Sequence, residues 1–215
     1  MSEENKIHYW DGLYSKDYFF GSGPTKLAKL ADSFLNKTKV NNILEIGCGQ
    51  GRDATYFSQN GYNVEAFDIS ENAIKFVNHT KQILNLTNLH AFVHDVEKPL
   101  PYEPEYFDFV YSNLALQFFD LNLLDTIFKN TAKLMKKDSL FLFSTKKKGD
   151  KYYQFGKKIS DNAFDNQGII RYFFDSDVLI ETLSNYFETV QIDSDSHTNL
   201  DSTVSVWWKI LVKKI

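Results

Sequence analysis

An alternation of short apolar runs with amphipathic stretches constrains residues 42–145 more than any other feature of the chain. "NILEI" reads as a strand that ends at glycine, and "GRDATYFSQN" as the helix after it. The pattern repeats as strand "NVEAFD", helix "SENAIKFVNHTKQI", strand "HAFVHD", strand "YFDFVYS", helix "LNLLDTIFKNTAKLMKK" and strand "SLFLFST". Such a series predicts a mostly parallel sheet with helices on both faces. Ser70, directly before "ENA", is placed to cap the second of these helices. Upstream, "TKLAKLADSFLNK" carries Leu27, Leu30, Ala31 and Phe34 at helical spacing. Downstream, helix "DSDVLIETLSNYF" precedes two strand-like runs, "ETVQID" and "TVSVWWKILVKK", parted by the polar loop "SDSHTNLDS". Two strands joined in this way pair antiparallel, so one strand at or near the sheet edge should be reversed. At 215 residues the chain suits one such domain with a full core, and is short for two.

The first strand runs into three glycines at alternate positions, Gly47, Gly49 and Gly51. A nucleoside triphosphate, a dinucleotide and a sulfonium cofactor would each fit that outline. A phosphate-gripping loop needs Lys followed by Ser or Thr after its last glycine, and here Arg52 and Asp53 follow. The dinucleotide fingerprint is GxGxxG with a pyrophosphate at the helix N-terminus, whereas this loop reads ExGxGxG. Glu45, an acid just before the turn, would oppose a pyrophosphate and suit a cationic ligand.

"LEIGCGQG" resembles the first motif of class I S-adenosylmethionine-dependent methyltransferases, of the small-molecule kind that includes the tellurite-resistance, thiopurine-like and methyltransferase type 11 groups. Further matches follow in family order over roughly residues 40–145. The resemblance implies a Rossmann-like three-layer sandwich with a seven-stranded, mostly parallel sheet and an antiparallel last strand. It implies S-adenosyl-L-methionine as cofactor, with Glu45, Gly47, Cys48, Gly49 and Gly51 in the loop. It further implies Asp68 with Ile69 on the ribose, and Asp95 with Val96 at the adenine. "SNLALQ" is similar to a loop of small-molecule and carrier-protein methyltransferases, which puts Ser112, Asn113 and Leu116 beside the methionine part. The opening "HYWDGLYSKDYFFGSG" resembles a family lid, with Trp10, Tyr14, Tyr18 and Phe19 closing over cofactor and substrate, although some of these rings could be core. The domain then divides into a lid (1–24), a cofactor-binding core (25–145), a substrate-cover insertion (146–175) and a C-terminal helix and hairpin (176–215).

The acceptor side offers fewer constraints. His197, in the polar loop, could take a proton or orient a substrate, and Tyr18, Arg171 and Tyr172 are further candidates. Lys146, Lys147, Lys148, Lys151, Lys157 and Lys158 follow the fifth strand; they read either as a solvated loop or as a surface for an anionic substrate or acidic carrier protein. Trp207 and Trp208 are adjacent on a strand and should face opposite sides.

Composition excludes some classes. A formal net charge of −4 argues against broad nucleic-acid binding. Cys48 is the single cysteine, so a covalent cytosine-type mechanism lacks a nucleophile near the substrate, and no Asn-Pro-Pro-Tyr-like tetrad follows the fourth strand. The histidines show no metal-ligand spacing. "MSEENKIHYW" has no apolar run of a signal peptide, and no stretch reaches membrane-spanning length, so cytoplasmic residence is the expectation. The function expected is in-line methyl transfer to a small acceptor: a thiol, chalcogen oxyanion, amine or carboxylate. The alternatives are a carrier-bound acyl group or a cofactor-binding regulator without turnover, and a monomer or homodimer would serve any of these.

Overall fold

Neighbouring apolar residues of the central strands are buried on opposite sides of one sheet. In strand β1 (Asn42–Ile46), Ile43 joins one core cluster and Leu44 the other. Successive strand side chains point to opposite faces, so a continuous apolar run requires cover on both. The computed structural model, which describes residues 3–16, 18–35 and 40–215, supplies that cover with helices. After helix α1 (Glu3–Leu13), helices α2 (Lys26–Ala31), α3 (Arg52–Gln59) and α4 (Glu71–Ile83) pack Leu27, Phe57 and Val77 on the Ile43 side. Helices α5 (Leu121–Leu134) and α6 (Ser176–Leu183) pack Phe128 and Leu179 on the Leu44 side. Three layers result.

The remaining strands of this sheet are β2 (Asn63–Asp68), β3 (Leu89–Val93), β4 (Phe107–Asn113), β5 (Met135–Lys146), β9 (Phe187–Thr198) and β10 (Val204–Lys214). Their order is β3-β2-β1-β4-β5-β10-β9, with β10 alone antiparallel to both neighbours. The chain steps outward from β1 to β3 and returns to the other side of β1 at β4. A crevice therefore opens beyond the carboxyl ends of β1 and β4, where sheets of this class hold their ligands. Ser70 caps α4, accepting the Ala73 N–H at 3.1 Å, as its position in the sequence predicts.

Boundaries differ from the sequence reading in several places, among them helix α6, which ends at Leu183 before Phe187 opens β9. Helix α2 ends at Ala31, and Asn36 and Lys37 of the expected helix lie outside the described residues. Helix α5 ends at Leu134, because Met135 turns extended (ψ 141°) and pairs with Phe107 of β4. Strand β9 continues to Thr198, so the loop "SDSHTNLDS" shrinks to 199–203. His197 lies opposite Ser205 in the ladder, and the Asn199 amide closes the turn on Thr203 and Ser205. The lysine-rich loop also holds regular structure: β6 (Lys157–Ser160), β7 (Ala163–Asn166) and β8 (Ile169–Tyr172) form a separate antiparallel sheet. Phe164 of β7 and Phe173 both pack against the Tyr153 ring.

Candidate functional site

The glycine turn is shaped by what crowds it. Gly47 has φ +69°, and a Cβ there would lie 2.5 Å from the Ala115 Cβ. Gly49 has φ +53°, and its Cβ would meet the Tyr14 hydroxyl at 2.7 Å. Both positions need left-handed backbone and an absent side chain. Gly51 is the N-cap of α3. Beyond the turn lies a cavity of about 810 Å³, bounded by the ends of β1, β2 and β4, the N-terminal segment, β8 and the β9–β10 hairpin.

Three buried carboxylates gather at its inner end. Glu45 Oε2 is enclosed and has no hydrogen-bond partner. Burial, reinforced by Asp53 and Asp68, pushes the Glu45 carboxyl well above its usual range. Asp68 accepts the Gly49 N–H at 2.8 Å through one oxygen and the Ser70 N–H at 3.0 Å through the other. Burial raises this group as well. Asp53 accepts the Thr25 N–H at 2.7 Å, the Thr25 hydroxyl at 2.8 Å and the Tyr111 hydroxyl at 2.7 Å. Among the described residues no lysine or arginine forms an ion pair with any of the three. An enclosed acceptor without a donor, set in surplus negative charge, suits a ligand that brings an ammonium or sulfonium group. The residues present therefore fit the cofactor that the sequence resemblance implies.

That arrangement has a pH consequence. Glu45 and Asp68 titrate at higher pH in the folded chain than in the unfolded one, so the folded state holds more protons between the two values. Their contribution to ligand-free stability is thus fullest on the acid side and falls as pH rises from the ordinary carboxylate range through the folded values. A cation bound beside Glu45 favours its ionised form, so binding is expected to release protons. Calorimetry of the cofactor in two buffers of different ionisation heat checks this. Unequal apparent heats whose difference shrinks in Glu45→Gln are expected; equal heats in the native protein, or a difference unchanged in Glu45→Gln, would contradict it.

The other residues singled out in the sequence divide cleanly. Gly47, Cys48, Gly49, Ile69, Asp95, Val96 and Asn113 line the cavity. Asp95 accepts the Glu97 N–H at 3.0 Å, which orders the turn after β3. Gly51, Ser112 and Leu116 do not reach the cavity wall: the Cβ space of Gly51 faces Val77 of α4, Ser112 donates to the Ile46 carbonyl at 3.0 Å, and Leu116 is wholly buried in the core. Gln117, itself buried, and Phe118 line the cavity in that turn instead. Trp10 stacks on Tyr14 at 5.9 Å and meets Phe118 edge-on at 4.9 Å, so α1 closes one side. Tyr18 is a correction. It turns outward at φ +51°, packs on Phe76 and is 53% exposed, and Phe19 and Phe20 face the cavity instead.

The N-terminal segment is tied down by residues adjoining the glycines. Arg52 donates to the carbonyls of Phe20 and Gly23, and Gln50 bridges the Phe19 N–H and the Lys16 carbonyl. Asp11 of α1 accepts the Ser70 hydroxyl and the Asn72 N–H. Sequence reasoning missed Asp53 and Thr25 in this role; the available signal was an acid in the first turn of the helix behind the glycines.

The outer end is built differently. Arg171 on β8, Trp207 on β10 and His197 on β9 face it, while Trp208 turns to the opposite side and donates to the Phe174 carbonyl at 2.9 Å. Lys146 is paired with Asp150 at 2.5 Å, and Asp150 also accepts the Val206 N–H at 2.8 Å. Of the six lysines, only Lys146 and Lys151 line the cavity. Lys148 pairs with Asp175 and Lys158 with Asp161, both at 2.6 Å. Among the described residues no cluster of His, Cys, Asp and Glu could hold a metal ion, and no helix is long and apolar enough to cross a membrane.

Comparison with known proteins agrees with this geometry. A family model described as tellurite resistance protein TehB matches residues 14–180. A Haemophilus influenzae Rd protein named "Probable S-adenosyl-L-methionine-dependent methyltransferase TehB" is 36% identical over 122 residues, 55% of this chain and 42% of that protein. Malonyl-[acyl-carrier protein] O-methyltransferase 2 of Ilyobacter polytropus is 33% identical over 133 residues, 59% of this chain and 47% of that one. The chain thus matches less than half the length of these curated relatives. The crystal structure of TehB from Haemophilus influenzae superposes with a TM-score of 0.70 at 21% identity, covering 98% of this chain and 67% of that one.

Proposed function

Since the chain belongs to the tellurite resistance protein TehB family and has its Rossmann-like methyltransferase fold, we propose that it moves a methyl group from S-adenosyl-L-methionine to a small molecule. The observation that carries this reading is the unpartnered Glu45 carboxylate oxygen beside the glycine turn, in a cavity that continues past the β4 end to Arg171 and His197. When bound, the sulfonium supplies an already activated methyl group.

The chain's own residues then hold and align. Asp68 has lone pairs left for two ribose hydroxyls beyond its two backbone bonds. Asp95 and Val96 border the adenine end, and Glu45 with the glycine turn receives the amino-acid end. Trp10 and Tyr14 exclude water on the lid side. Burial and the Asp68 charge keep the Tyr14 phenol protonated and therefore a donor. Alignment of this sort supplies several kcal/mol, up to about 7–11 in favourable intramolecular cases. A thiolate or chalcogen oxyanion acceptor needs no base. For an alcohol or protonated amine, His197 at the cavity mouth is the group to take the proton.

A second reading, methylation of a carrier-bound acyl group, is supported by the likeness to the Ilyobacter protein. The small-molecule reading is preferred because Lys148 and Lys158 are balanced within the chain, which leaves less basic surface for an acidic carrier. Calorimetry with S-adenosylhomocysteine tests the cofactor, and labelled cofactor with thiols, chalcogen oxyanions, amines, carboxylates and acyl carriers tests transfer. Binding with product is expected; no binding would end this reading, and binding without turnover across the panel would favour a regulator.

A further inference from the structure

We infer that the outer end of the cavity reads one negative charge on an otherwise apolar, flat acceptor, and that Arg171 is the residue that reads it. This deepens the methyl-transfer proposal and rests on it for what the bound molecule is used for.

The Arg171 guanidinium carbon lies 4.4 Å from the Tyr152 ring centroid and 5.6 Å from that of Phe118. Aromatic rings take the faces of a guanidinium, so its N–H edge is the part left to make hydrogen bonds. One of those nitrogens, Nη1, is enclosed and has no acceptor. Among the described residues no carboxylate pairs with Arg171. Its cationic neighbour Lys146 is already matched by Asp150. Burial pushes Lys146 below its usual range, partly offset by Asp150 and reinforced by Arg171, so the two cations lie close enough to repel. Enclosed charged donors are normally paired, and an unpaired one at a cavity wall marks where a partner belongs.

The partner has to come from a bound molecule, and its shape follows from the surroundings. A single guanidinium held by rings on its faces presents a planar fork, which matches a carboxylate bidentately. Phe118, Ile170, Tyr172 and Trp207 give the adjoining wall a broad apolar and aromatic part, beside the polar side chains of Lys151 and His197 on the lining. A flat carboxylate therefore fits, held by its charge. Because a salt-bridged carboxylate is a poor nucleophile, it serves as the handle, and the methyl acceptor is another atom of the same molecule.

The test titrates benzoate and its neutral isostere benzamide calorimetrically into protein saturated with S-adenosylhomocysteine, using native protein, Arg171→Gln and Arg171→Lys. Native protein is expected to bind benzoate about tenfold or more tighter than benzamide. Arg171→Gln should erase that preference, Arg171→Lys should keep part of it, and S-adenosylhomocysteine affinity should be equal in all three, which also shows that the variants fold. Equal binding of the two probes by native protein, no binding of either, or a preference that survives Arg171→Gln would overturn the inference. So would a parallel loss of benzoate and S-adenosylhomocysteine binding, which would place Arg171 on the cofactor's own carboxylate. If S-adenosylhomocysteine does not bind native protein, the methyl-transfer reading fails, and the same titrations on ligand-free protein still decide the charge preference.

Discussion

Asp68→Ala is expected to weaken S-adenosylhomocysteine binding by about a hundredfold or more, because two hydrogen bonds to a charged group contribute about 3–6 kcal/mol together. The substitution also strips the Gly49 and Ser70 N–H groups of their acceptor, which loosens the turn and the start of α4. Stability should change less than binding. Burial already raises the Asp68 pKa, so its removal relieves a cost in the ligand-free protein while it takes away the ribose acceptor. Calorimetry paired with thermal unfolding separates the two effects. Native-like affinity in a folded Asp68→Ala protein would remove the ribose role.

The second large effect concerns the turn itself. Gly47→Ala should lose about 2–5 kcal/mol of stability, combining left-handed backbone in a residue with a side chain and overpacking against a neighbour. The contact responsible is rigid: the new Cβ would sit 2.5 Å from the Ala115 Cβ, which cannot rotate away. Gly61→Ala is the control, since Gly61 also has positive φ (+91°) but nothing within 4 Å of a Cβ. There only backbone strain remains, about 1–2 kcal/mol. Urea midpoints of the two variants give the steric part by difference, and equal losses would show that Ala115 moves aside.

The inner end of the cavity was legible because Glu45 lies one residue before the end of its strand and Asp68 ends its own. Both acids sit on apolar runs that continue across two buried faces, so strand pattern and acid position reinforce each other. Asp53 escaped because its partners, Thr25 and Tyr111, are 28 and 58 residues away, and no local spacing announces such a contact. The outer end of the cavity lies on segments with weak periodicity. The end of β9 alternates Ser, Asp and His with both faces largely exposed, which reads as loop until Val204 and Ser205 are seen opposite it. The small sheet mixes lysine, tyrosine and glycine, and its packing rests on rings rather than a repeating pattern. Tyr14 and Tyr18 look alike in sequence, and only the turn after α1 sends one inward and the other out.

The contact between the Tyr14 hydroxyl and the space above Gly49 carries an implication for inheritance. With tyrosine at 14, every side chain at 49 is a collision; with a small residue at 14, the spatial half of that prohibition disappears and only the backbone preference is left. The cost of a substitution at 49 therefore depends on which residue occupies 14, so the order of the two changes matters. Relatives that place a small residue at the position of Tyr14 are the ones in which backbone conformation alone holds the middle glycine of the turn.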